Sequence, residues 1–156
     1  MTSFKLLRDY FKSIQQKHKK LNGFVTGTSS KVRQRVANEQ LSPLLWLEVP
    51  FIDLRDSGSS ITAGKSSSFV VMAPLNERDK TEAEQEQLYD DLEEIALDIL
   101  SLLQKDALKP KGHKITIDGT LEPIDPLLID GWVGWRFEFV LKNTADVTYK
   151  PDNWNA

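Results

Sequence analysis

The sequence predicts a single α+β domain over residues 1–156, with a mostly antiparallel sheet flanked by two principal helices. Two segments carry apolar residues at helical spacing, several others alternate with a period of two, and no segment repeats. A chain of this length buries roughly 70% of the surface its unfolded form exposes, enough for one core.

Phe4, Leu7, Phe11, Ile14 and His18 recur at helical spacing with Lys and Arg opposite them. Residues 3–20 therefore read as an amphipathic helix, capped by Ser3 and stopped near Asn22-Gly23. The polar, basic stretch from Gly23 to Gln40 reads as a loop with a short strand at Phe24-Val25-Thr26. Leu44 to Leu54 alternates as a strand, and Pro50 marks an edge or a bulge. Asp56 to Ser68 is rich in Gly and Ser and reads as a flexible hairpin arm or long loop, with a short buried strand following at Phe69 to Ala73.

Thr81 and Glu84 have capping-box spacing, and acidic residues fill the positive end of the helix they open. Leu88, Leu92, Ile95, Ile99 and Leu102 mark its buried stripe, which runs to about Lys105. His113 to Leu121 alternates as a strand, and residues 123–131 read as a bulge or turn. Trp132 to Leu141 is a central strand with Trp135, Phe137, Phe139 and Leu141 on one face. The polar tail over 143–156 carries two aromatic anchors, Tyr149 and Trp154.

Composition narrows the chemistry. The chain has no cysteine, which removes disulfides, thiolate nucleophiles and thiolate zinc sites. The apolar runs Pro43–Trp46 and Phe69–Ala73 are far shorter than the ~20 residues a membrane helix needs, and the N-terminal helix has no signal-peptide core. The net charge of −3 is unevenly distributed. Residues 1–40 hold nine basic and two acidic side chains, a balance of +7, while the remainder stands at −10. Such polarity suits an anionic partner or head-to-tail packing of copies; two differently charged solvated surfaces are the plainer explanation.

Gly64-Lys65-Ser66 matches the end of a phosphate-binding loop, but Ser59 stands where the first glycine belongs and a strand follows in place of a helix. Asp53 and Asp56, and the group Asp118, Glu122, Asp125 and Asp130, are carboxylates of the kind strand ends and turns carry, with no spacing that fixes a metal. His18 and His113 stand alone. The expectation is a protein that is not an enzyme and has no cofactor or metal. Lys17, His18, Lys19, Lys20, Lys31, Arg33 and Arg35 keep open an alternative, a nucleic-acid-binding module using the basic N-terminal third.

The basic first helix, the strand from Ser42 to Pro50, the Gly/Ser arm, the acidic helix and the segment Asp130-Gly131-Trp132-Val133-Gly134-Trp135-Arg136-Phe137-Glu138-Phe139 together resemble the neck and tail-completion (tail-terminator) proteins of tailed bacteriophages. The resemblance rests on element order over most of the chain. It implies a virion structural protein, assembled in the host cytoplasm, that forms a homo-oligomeric ring, commonly sixfold. That ring would stop growth of the tail tube at its head-proximal end and join it to neck and portal-side proteins. DNA would pass through the lumen without sequence-specific binding, and no membrane would be involved. On this reading the arm, with Arg55 and Lys65, the tail, with Tyr149 and Trp154, and the basic residues Lys31, Arg33 and Arg35 are the contacts to other subunits or partners.

Overall fold

The computed structural model describes residues 3–38, 41–58, 61–76, 78–106, 115–116, 118–125, 129, 131–144 and 151–153. The fold is the expected α+β arrangement. Helix α1 (Phe4–Lys17) precedes strand β1 (Gly23–Thr26), helix α2 (Ser29–Asn38), strands β2 (Leu44–Leu47), β3 (Phe51–Asp56) and β4 (Ile61–Pro74), and helix α3 (Glu82–Asp106). Strands β5 (Ile115–Thr116), β6 (Leu121–Pro123) and β7 (Trp132–Thr144) complete the sheet, and a 3₁₀ turn covers Pro151–Asn153.

Strand β4 is the axis of the sheet. It pairs antiparallel with β7 along its length, from Thr62↔Thr144 to Pro74↔Trp132. On its other side the C-terminal half pairs with β2 (Leu47↔Phe69 to Leu44↔Met72) and the N-terminal half with β3 (Phe51↔Ser66 to Asp56↔Ile61). Strand β1 adds to β2 in parallel, and β5 and β6 pair with the far side of β7.

The two faces of the sheet carry two cores. Odd-numbered side chains of β4 and β7, including Phe69, Val71, Phe137, Phe139 and Leu141, pack under α1 and α3 with Leu7, Phe11, Ile14, Leu92, Ile95 and Ile99. Phe11 stacks on Phe139 with ring centroids 5.4 Å apart, and Phe69 lies 5.9 Å from both Phe11 and Phe137. On the opposite face, Val70, Met72, Trp46 and Leu44 pack against Val25, Val32, Ile124, Ile129 and Trp132. Strand β2 is thus buried on both faces, which explains its unbroken apolar run.

The caps foreseen from sequence form: Ser3 Oγ accepts the Leu6 N–H at 3.1 Å, and Thr81 Oγ1 accepts the Glu84 N–H at 3.3 Å. Four expectations need correction. The first helix ends at Lys17, with His18 as its extended C-cap. Ser29–Asn38, taken as loop, is a helix. It buries only Val32, with Val36 beside it, so its polar surface hides its period. The strand expected over 44–54 is two strands, divided at Glu48–Pro50. Residues 61–68, read as part of a flexible arm, lie inside β4 with β7 on one side and β3 on the other along most of that stretch. The strand expected over 113–121 is described only at 115–116 and at Leu121, where β6 begins; 113, 114 and 117 lie outside the described residues.

Gly134 is the tightest point of the central ladder. It pairs with Met72, and a Cβ at this position would run into the backbone of Val71 and Met72. Gly134→Ala should force β4 and β7 apart and lower stability by about 2–3 kcal/mol, read as an earlier midpoint in urea unfolding.

Candidate assembly surface

The link between β2 and β3 is fixed at Glu48. Its N–H donates to Ser68 O at 2.9 Å, and its carbonyl accepts from Ser67 Oγ at 2.8 Å. Its carboxylate accepts from Arg136 Nη2 at 3.0 Å and, more loosely, from Nε at 3.4 Å. Both side chains of this forked pair are about three-quarters buried, and the hydrogen bond and charge of Glu48 favour the charged Arg136 guanidinium against the cost of its burial. The pair sets the direction in which the chain leaves the double-covered end of the sheet.

Beyond it, β3 is exposed at every residue. Phe51 is 75% exposed, Ile52 51% and Leu54 58%, and Val49 just before them is 46% exposed. Strand β3 has β4 on one side and no strand on the other among the described residues. Ile52, Leu54 and Asp56 lie on the α1/α3 face, paired with Lys65, Ala63 and Ile61; Phe51, Asp53 and Arg55 lie on the opposite face, paired with Ser66, Gly64 and Thr62. An edge strand with this much uncovered apolar surface is a template for pairing with another chain.

The residues expected at partner contacts fall in different places. Arg55 is exposed on β3. Lys65 is not: it is buried in mid-strand opposite Leu141, and burial lowers its pKa from the usual 10.5. A strand continues through Ser66, so the Gly-Lys-Ser sequence opens no helix that could hold a phosphate. Lys31, Arg33 and Arg35 are exposed on α2. Tyr149 and Trp154 lie outside the described residues, as do His113 and Asp130. Sequence reasoning missed the apolar strip of β3, because its alternation matches that of a half-buried strand and local sequence does not say which helix covers it.

Charge is arranged differently from the simple division into a basic third and an acidic remainder. Helix α1 and the turn that follows it meet α3: Tyr10 Oη lies 3.1 Å from Asp106 Oδ2, His18 Nε2 3.2 Å from Asp98 Oδ2, and Lys20 Nζ 2.9 Å from Glu94 Oε2. Burial, then the hydrogen bond and charge of Asp106, push the Tyr10 phenol above its usual range. Part of the basic segment is therefore matched within the chain. Arg8, Lys12 and Arg35, with Asp9, Asn22 and Thr26, line an open cleft of about 520 Å³ beside β1. Thr26 Oγ1, buried there, has no hydrogen-bond partner among the described residues. The cleft offers cations to an anion, with Asp9 already held by Arg8 at 3.2 Å.

A second cleft of about 260 Å³ contains Asp118, Glu122, Arg136 and Glu138. Among the described residues no group of three or more His, Cys, Asp or Glu is placed to hold a metal ion, and no helix is long and apolar enough to cross a membrane. No protein-family model matches the chain, and no curated protein shows significant similarity to it.

Glu48→Ala should remove three-way anchoring of the β2–β3 link only at its carboxylate, leaving Arg136 half-paired with Glu138 at 3.6 Å. The expected cost is about 1–2 kcal/mol in chemical unfolding, with faster amide exchange across β3 than in the wild type.

Proposed function

We infer that this protein is a structural subunit that works by assembling with copies of itself and with partner proteins, in the manner of a tail-completion ring at the head-proximal end of a bacteriophage tail. The observation that carries the reading is the exposed apolar strip of β3, built on a rigid ladder and anchored at Glu48. Such a strip suits contact with other proteins of an assembly. Ring closure would use the other polarity of the molecule. Exposed carboxylates Glu82, Glu84, Glu86 and Asp90 on α3 and exposed cations on α2 and around the β1 cleft allow a heterologous, charge-matched contact that closes on itself.

The element order that resembles tail-terminator proteins supports the same reading, and with it a place in the virion next to tube and neck proteins. The second reading, a nucleic-acid-binding module, has one specific observation in its favour, the Arg8–Lys12–Arg35 cleft. It is weakened by the engagement of His18 and Lys20 with α3.

The test is the native mass of the purified chain by light scattering over a dilution series, followed by negative-stain imaging. A closed particle of fixed mass, loosened by added salt, is the expected result. A strict monomer that binds DNA with steep salt dependence would replace this reading with the second.

A further inference from the structure

We propose that the open edge of β3 pairs with the β3 edge of a second copy, antiparallel, about a twofold axis midway between the two Leu54 residues. The proposal rests on the reading of β3 as an assembly surface and adds the partner and the register. Directly opposed residues of an antiparallel pair point to the same face of the sheet, so a symmetric pair must be centred on a residue and not between two. Centring on Leu54 sets Leu54 against Leu54 of the second copy on one face, with the two Ile52 side chains diagonal to them and each Ile52 opposite Asp56 of the other copy at the end of the strand.

On the other face the same register places Asp53 opposite Arg55 and Arg55 opposite Asp53, two cross-strand ion pairs from one strand sequence. Neighbouring symmetric registers do the reverse. Centring on Asp53 opposes two carboxylates, and centring on Arg55 opposes two guanidinium groups. Asp53 and Arg55 have no ion-pair partner among the described residues, and the β4 residues beside them, Gly64 and Thr62, are small and leave them uncovered. The charge pattern of β3 therefore favours this self-pairing, which alone forms two ion pairs, over the two registers beside it, which oppose like charges.

The contact spans one six-residue strand, at the small end of specific interfaces, so the pairing is reversible and concentration-dependent. It joins copies edge to edge through a twofold axis, whereas ring closure is head to tail. Where both operate, two rings stack face to face.

The experiment uses the full chain and four variants: Asp53→Arg, Arg55→Asp, the double exchange Asp53→Arg with Arg55→Asp, and Leu54→Lys. Mass is read by sedimentation or light scattering, and circular dichroism checks the fold, which exposed positions on β3 should not disturb. Each single variant should weaken self-association about tenfold or more. An equimolar mixture of Asp53→Arg and Arg55→Asp should recover it as a heterodimer, and the double exchange should recover it as a homodimer. Wild-type oligomers whose mass none of these variants changes would overturn the self-pairing and leave assembly to another surface. Weakening by the single variants with no recovery on mixing would overturn the register. A wild-type chain that stays monomeric at every concentration would overturn the self-pairing together with the assembly reading beneath it.

Discussion

The rest of the molecule depends on the ladder between β4 and β7. Every other strand except β1 hydrogen-bonds to one of these two, and β1 reaches them through β2. Their shared odd-numbered face supplies the aromatic surface on which α1 and α3 lie, and Phe11 of α1 is held against Phe69 and Phe139, one from each strand. Close approach at Gly134 is the condition for this pairing, since any side chain there would occupy the space of the β4 backbone. Hydrophobic burial then follows from the ladder: once the strands are in register, the two faces present their apolar sets to helices on opposite sides.

Coverage by those helices is uneven, and that unevenness separates the core from the exposed edge strand. At the end where β2 pairs with β4, α1 and α3 cover one face and α2 with the segment around Ile124 and Ile129 covers the other. At the end where β3 pairs with β4, the edge strand lies beyond both layers, and all six of its residues meet solvent. Glu48 and its forked pair with Arg136 stand at the border. Buried polar fixation at that border keeps the exposed strand in register with the core and prevents the link from wandering.

Much of this was legible in the amino-acid sequence. Ser3, Thr81 and the apolar stripe of α3 announce their helices because capping and the 3.6-residue period are local properties. The buried face of β7 is equally plain in Trp135, Phe137, Phe139 and Leu141. What escaped was set by tertiary context. Helix α2 shows only Val32 and Val36 to the core, four residues apart in a polar sequence. Lys65 and its serine neighbours resemble a flexible loop, yet they are held in β4 by strands distant in sequence. Strand β3 has the same alternation as a half-buried strand, yet all six of its residues are exposed. The candidate cleft joins residues from α1, β1 and α2, a juxtaposition that no spacing along the chain encodes.

Because β4 runs without interruption from the hairpin to Pro74, the exposed edge and the buried core share one strand. There is no joint between them at which a load can be absorbed. A force along β3 acts parallel to the strands, so many hydrogen bonds of the β3–β4–β7 ladder share it in shear at once, and β4 carries it toward the phenylalanine cluster beneath α1. The exposed edge and the phenylalanine cluster are thus two ends of one continuous hydrogen-bonded ladder.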